Sequence, residues 1–176
     1  NMNNLYRLII FFPVFILGCT PNFIEENKVT QKIDGLEMNI FSKSGDKIYS
    51  ITSPHSSYNN NKLQFHSRNT TINIFNGEDI KYIINSDEST LSNNNKLLKL
   101  TGNVKLITLK QDVDTLYADN FIWNIEETNY LLEGNIIFEN KNIILNSGKA
   151  KLSSDNIIEF FNPVKYIIKD DNNLNK

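Results

Sequence analysis

The sequence is poor in the residues that build disulfides, metal centres and nucleic-acid contacts. It has one cysteine and two histidines among 176 residues, which excludes an intramolecular disulfide and disfavours a cysteine- or histidine-rich metal site. Eighteen basic residues against twenty acidic ones give a net charge of −2, so there is no basic surplus for nucleic acid. We therefore expect no metal, no cofactor and no nucleic-acid partner.

Catalytic patterns are also missing. The seven glycines form neither a GxGxxG pattern nor a P-loop. His55 and His66 have serines nearby, but neither lies in a nucleophile-elbow context. Because apolar residues make up 40% and aromatic residues 11% of the chain, a folded core is nevertheless expected. These observations predict a folded protein that is not an enzyme.

The first residues are typical of an export signal. Arg7 is their only charge, and residues 8–17 form an apolar run of ten, whereas a bilayer span needs about 20. The run ends in Ile16-Leu17-Gly18-Cys19, which resembles the lipobox of bacterial lipoproteins. We predict that Cys19 carries fatty acyl groups and anchors the chain to a membrane outside the cytoplasm. A buried structural cysteine and an uncleaved short anchor are the alternatives.

The rest of the chain alternates apolar and polar residues with the period of a strand. Leu98 and Leu100 alternate with lysine and threonine, and Phe121 and Trp123 alternate with asparagine. Gly- and Asn-rich turn signals separate the predicted strands; they lie at residues 44–46, 59–61, 76–78, 93–95, 126–129 and 146–148. Short, evenly spaced strands predict an all-β antiparallel sandwich, roll or barrel.

A repeat of about 30 residues underlies these strands. Leu98–Leu106 aligns with Tyr130–Phe138, 32 residues later, and each copy contains a Gly-Asn pair. Outside the copies, small residues recur at similar intervals; they are Ser53, Ser86, Ala118 and Ser147. Each unit is predicted to be a strand, a bend at the small residue, a second strand and a turn. Stacked units would form a continuous structure with two walls, although coincidence in an Asn- and Ile-rich chain is the alternative.

The motifs resemble those of the LptC proteins of lipopolysaccharide transport, and more broadly the OstA-like β-jellyroll family. The likeness is carried by Leu-Thr-Gly-Asn-Val-Lys-Leu at 100–106, Leu-Tyr-Ala-Asp at 116–119 and Leu-Glu-Gly-Asn-Ile-Ile-Phe at 132–138. Many LptC proteins keep a transmembrane helix, whereas this sequence indicates a lipidated cysteine. The predicted organisation is a signal peptide at 1–18, a tether at 19–34, an antiparallel β-jellyroll at 35–169 and a polar tail at 170–176.

The resemblance implies that the protein passes lipopolysaccharide from an inner-membrane ABC transporter to a periplasmic bridge protein. Its place would be the periplasmic face of the inner membrane, with acyl chains shielded in an apolar groove. The predicted lining is the inward set Ile72, Ile74, Val104, Leu106, Phe121, Trp123, Ile136 and Phe138. For any single one of these residues, ordinary core packing is the simpler interpretation.

The resemblance also implies that neighbours join edge to edge by extending the sheet. The predicted partner-edge residues lie in the first and last strands; they are Leu36, Met38, Ile40, Val164, Tyr166 and Ile168. Residues 19–176 contain one arginine, Arg68, so we expect acyl chains rather than phosphates to dominate recognition. Two rival functions stay open: a structural or adhesive envelope lipoprotein, and an accessory β-domain that binds a protein without lipid transfer.

Overall fold

A computed structural model describes residues 30–92, 94–109 and 114–169. Within these ranges the chain forms one antiparallel sheet and no helix. The strands are β1 (Thr30–Phe41), β2 (Lys47–Asn59), β3 (Gln64–Asn76), β4 (Asp79–Ser92), β5 (Leu97–Thr108), β6 (Thr115–Asn124), β7 (Asn129–Glu139), β8 (Ile143–Ser153), β9 (Ile158–Phe161) and β10 (Lys165–Ile168). Strands β1 to β8 pair in chain order, and β9 and β10 pair with the two halves of β8. The predicted all-β antiparallel architecture is confirmed.

Two predicted boundaries differ from the structure. Strand β1 begins at Thr30, so residues 30–34 of the predicted tether belong to the sheet, where they pair with the second half of β2. The turn predicted at 146–148 is wrong, because these residues lie inside β8 and bend it without ending it. The predicted signal peptide, Cys19 and the polar tail at 170–176 lie outside the described residues.

Most long strands bend near the middle, at the positions of the sequence repeat. The ladder shifts register at Asn85/Glu88 in β4, at Thr101/Val104 in β5, and at the corresponding places in β6 and β7. A bulge of this kind turns a strand and increases its twist. The small residues that the sequence predicted at bends, Ser53, Ser86, Ala118 and Ser147, are all buried at these corners.

The bends divide the sheet into two walls that face each other. The A wall consists of the strand segments 36–41, 47–53, 70–76, 79–86, 104–108, 115–118, 136–139, 143–147 and 165–168. The B wall consists of the segments 30–34, 55–59, 64–68, 88–92, 97–101, 120–124, 129–133, 149–153 and 158–161. Ring contacts join the walls: Tyr49 of the A wall meets Trp123 of the B wall at 5.3 Å, and Tyr82 meets Tyr130 at 5.8 Å. The fold is therefore a β-jellyroll, a bent sheet closed on its own apolar face.

Candidate functional site

Backbone chemistry fixes the corners that bring the walls together. Gly134 has a φ of +77°, and a Cβ there would lie 2.5 Å from Oδ2 of Asp119. Asn135 follows with a φ of +45° and donates its side-chain N–H to the same Oδ2 at 2.8 Å. Glycine and asparagine are the residues that tolerate positive φ, so this pair closes a corner that other residues would strain.

The same arrangement recurs one repeat earlier. Gly102 has a φ of +76°, and Asn103 donates to Oδ2 of Asp87 at 2.7 Å. At the last corner the aspartate is replaced by Gly148, whose N–H donates to the carbonyl of Asn162 at 2.9 Å. A Cβ on Gly148 would collide with that carbonyl, so only glycine fits. The Gly-Asn pair of the repeat motif therefore marks the positions at which the strands turn the corner.

The interior between the walls is an apolar face that crosses the whole sheet. One row on the A wall runs strand by strand through Met38, Ile51, Ile72, Ile84, Leu106, Leu116, Phe138, Leu145 and Tyr166. The matching row on the B wall runs through Gln31, Tyr58, Phe65, Leu91, Leu98, Trp123, Tyr130, Leu152 and Ile158. Because one parity of each strand points inward, these rows form a continuous surface along the roll that is apolar at every position except Gln31 of β1.

The predicted groove residues all lie on this inner face. Seven of the eight are buried in the core, and Phe138 is partly buried, 5.7 Å from Phe160 between ring centroids. The interior is therefore filled by side chains in its central part. Contact between these residues and a lipid stays a prediction.

Tyr49 and Tyr82, which no sequence motif marks as functional, join the walls on the side opposite the corners. The hydroxyl of Tyr49 donates to the carbonyl of Asn95 at 3.3 Å, and that of Tyr82 donates to the side-chain oxygen of Asn156. Burial raises the pKa of both tyrosines above the ordinary value and raises that of Tyr130 to about 12. In the sequence, these tyrosines alternate with polar residues as any inward residue does. Only their contacts in the folded protein distinguish them from the other inward residues.

The predicted partner-edge residues lie at the two ends of the sheet. Leu36, Met38 and Ile40 are partly buried in β1 and pack against the core. Tyr166 and Ile168 in β10 are 67% and 68% exposed, and Val164, just before β10, is 45% exposed. Within the part of the chain that the structure describes, both terminal strands have one unpaired side, and binding of a partner there stays a prediction.

The outer face carries the charged residues. Arg68 lies 3.9 Å from Glu88, and His55 lies 3.7 Å from Asp34, all on the outside of the B wall. The charge of Arg68 is therefore balanced by Glu88, and its side chain points away from the apolar interior. The described residues hold no cluster of side chains suited to a metal ion, and no buried side-chain polar atom among them lacks a hydrogen bond. None of their segments is a helix long and apolar enough to cross a bilayer.

The fold is also found in a protein of known structure. The structure is similar to the crystal structure of LptH, described as the LptA-homologous periplasmic component of the conserved lipopolysaccharide transport device from Pseudomonas aeruginosa. The TM-score is 0.56 at 8% identity, over 69% of this chain and 95% of that one. No curated protein sequence matches the chain.

The family comparison covers most of the sequence. The model of the family described as "Lipopolysaccharide-assembly, LptC-related" matches residues 18–156, which contain both Gly-Asn corners and β1 to β8. The chain belongs to the LptC-related family of lipopolysaccharide-assembly proteins.

Proposed function

We propose that the protein is a periplasmic component of lipopolysaccharide transport that shields acyl chains between its two walls. The observation that supports this most directly is the continuous inner apolar face, which is buried in the centre and partly exposed toward both ends of the roll. Acyl chains in water cost about 0.8 kcal/mol per CH₂, so a carrier needs apolar cover and no catalysis. Separation of the walls, or entry at an open end, would supply that cover.

Anchoring and partners complete the proposal. Acyl groups on Cys19 would hold the chain on the periplasmic face of the inner membrane. Residues 20–29 span at most roughly 35 Å when extended, so β1 would stay close to that membrane. The N-terminal edge would then face the inner-membrane ABC transporter, and the C-terminal edge would receive the periplasmic bridge protein.

A second function also has an observation in its favour. The filled centre of the roll is what a structural lipoprotein, or a domain that binds only proteins, would show. The two functions differ in whether lipid ever contacts the inner face.

Photo-crosslinking in living cells separates them. A photoreactive residue at Ile136, which points inward, should crosslink to lipopolysaccharide, whereas one at Ile137, its outward neighbour on β7, should not. Depletion of the protein should also make newly synthesised lipopolysaccharide accumulate at the inner membrane. Equal crosslinking at both positions, or normal lipopolysaccharide delivery after depletion, would contradict the proposal.

A further inference from the structure

Both histidines of the chain lie beside the arginine of the described residues on the outer face of the B wall. His55 of β2 pairs with Arg68 of β3, and Ser57 pairs with His66 in the neighbouring row. Lys32 of β1 pairs with Ser57, so its side chain lies on the same face. Because adjacent strands are about 5 Å apart and alternate residues of a strand about 7 Å apart, these basic side chains share one small area.

The basic side chains open onto one shallow surface pocket. Its volume is about 280 Å³, and its lining consists of Lys32, Asp34, His55, Ser56, Ser57, His66 and Arg68. The side chains of His55 and Arg68 are 70% and 68% exposed, and that of His66 is 43% exposed. The nitrogen atoms of these residues therefore reach solvent, while their backbone belongs to the sheet.

Buried serines hold the backbone beneath the pocket. The hydroxyl of Ser53 donates to the carbonyl of Arg68 at 2.7 Å and accepts the backbone N–H of His55 at 3.2 Å. On the inner side of the same strands, the hydroxyl of Ser56 donates to that of Ser67 at 2.8 Å. Because these bonds join β2 to β3, the basic residues keep their spacing before any ligand arrives.

The carboxylates beside the pocket lie too far from the basic groups for hydrogen bonds. Asp34 is 3.7 Å from His55, and Glu88 is 4.0 Å from His66 and 3.9 Å from Arg68. Elsewhere the protein closes its lysine–carboxylate pairs to 3.2 Å or less; these pairs are Lys96–Glu126, Lys149–Glu133 and Lys169–Glu139. Within the described ranges, the side chains of Lys32, His55, His66 and Arg68 make no hydrogen bond, so their donors are free for a ligand.

We propose that this pocket binds a phosphate group. The planar guanidinium of Arg68 matches two phosphate oxygens, and a phosphate monoester presents three strong acceptor oxygens in all. Lys32 and the two imidazoles face the pocket from β1, β2 and β3, so they can reach the remaining oxygens. The pocket lies outside the roll, so this binding is independent of acyl chains in the interior.

The charge of the pocket depends on its imidazoles. While both are neutral, Lys32 and Arg68 are balanced by Asp34 and Glu88; the next charge on this face is Lys99 of β5. Each imidazole that gains a proton adds one positive charge, and a neighbouring phosphate favours that protonated form. Since a phosphate monoester is mostly dianionic above about pH 6, binding should be stronger near pH 6.5 than near pH 8.5.

Titration of the full chain with methyl phosphate tests the site. The NMR signals of the two imidazoles report directly on the pocket, at fixed pH and with chloride at equal ionic strength as the control anion. Both signals should shift and saturate with methyl phosphate but not with chloride. Arg68→Gln should raise the half-saturating concentration at least about fivefold. Lys151→Gln removes an exposed positive charge from β8 of the same wall and should change that concentration less than about twofold.

A second variant should act in the opposite direction. Glu88→Gln removes a carboxylate that repels the anion, so the half-saturating concentration should fall several-fold. A damaged fold would not produce tighter binding. The absence of a saturable shift, an equal response to chloride, or equal weakening by Arg68→Gln and Lys151→Gln would overturn the phosphate site.

Vesicles identify the source of the phosphate group. Phosphatidylcholine vesicles with and without phosphatidic acid, whose headgroup is a phosphate monoester, are sedimented with the full chain carrying Cys19→Ser. Cosedimentation that requires phosphatidic acid and is lost in Arg68→Gln would support the site with a lipid headgroup as its ligand. Saturable methyl phosphate binding without such cosedimentation would support the site with a soluble phosphorylated molecule as its ligand.

Discussion

At the scale of single residues, the corners depend on conformations that few side chains adopt. Gly134 is confined twice, by its positive φ and by the carboxylate of Asp119 that lies against it. Gly77, in the turn between β3 and β4, has a similar φ of +65°, but a Cβ there would meet nothing within 4 Å. The two glycines therefore share the conformational requirement and differ only in the space around them.

This difference predicts unequal costs for the same substitution. Gly77→Ala should lower the free energy of unfolding by about 1–2 kcal/mol, the cost of a left-handed conformation. Gly134→Ala should lower it by at least about 1 kcal/mol more, because Asp119 must also move and its hydrogen bond with Asn135 is disturbed. Urea unfolding followed by the fluorescence of Trp123, the only tryptophan, measures both. Equal costs would mean that the carboxylate does not constrain the corner.

At the scale of elements, the two edges of the sheet differ in the length of their strands. Strand β1 pairs along almost all of β2, whereas the opposite edge is divided into the four-residue strands β9 and β10. All four residues of β10 are exposed, and among the described strands β10 pairs with β8 alone. The C-terminal edge thus contributes little to the core and offers a polar backbone flanked by apolar side chains, a combination suited to strand addition.

Truncation tests this edge. A chain ending at Phe161 should lose no more than roughly 2–3 kcal/mol of unfolding free energy, the value of a short ladder, yet should no longer bind the bridge protein. A chain ending at Lys169 keeps β10 and serves as the control, with binding expected to be normal. Titration of each purified chain with the LptA-type protein gives the result. Retained affinity in the shorter chain would refute the assignment of the C-terminal edge.

At the scale of the whole molecule, closure of the roll depends on buried tyrosines that join the walls. Tyr49, Tyr82 and Tyr130 lie in the interior, and burial raises the pKa of each. A tyrosine with a raised pKa stays neutral in the folded state while its unfolded counterpart ionises near pH 10. The stability that burial provides is therefore complete below about pH 10 and is lost as the pH rises toward the folded pKa.

The expected result is a steep fall in stability in alkaline solution. Between about pH 10 and 12, each buried tyrosine should lower the unfolding free energy by up to about 1.4 kcal/mol per pH unit, and by less where its hydroxyl reaches solvent. Urea midpoints measured at several pH values, with tyrosinate absorbance in parallel, follow the loss. Tyr82→Phe should make the fall of unfolding free energy with pH less steep by the contribution of one tyrosine. Tyr117→Phe, on the outer face, should leave that pH dependence unchanged. Identical slopes for the two variants would contradict the role of Tyr82.

The sequence by itself determined the local features of this protein. Period-two alternation placed Leu98, Leu100, Val104 and Leu106 on the inside, and all four are fully buried. The spacing of Gly-Asn pairs and small residues located the corners, because positive φ and close backbone approach restrict which residues fit. The prediction of a turn at 146–148 was wrong for the same reason, because Ser147 and Gly148 are as suitable for a bend within a strand as for a loop.

Only the tertiary structure decided how the walls meet. Tyr49 and Trp123 are 74 positions apart in the sequence, and nothing local distinguishes them from other inward residues. Which strand of one wall faces which strand of the other depends on the twist accumulated over the whole sheet. That sum sets which strands face one another across the interior, because each strand's small rotation adds to the next and no single residue records the total.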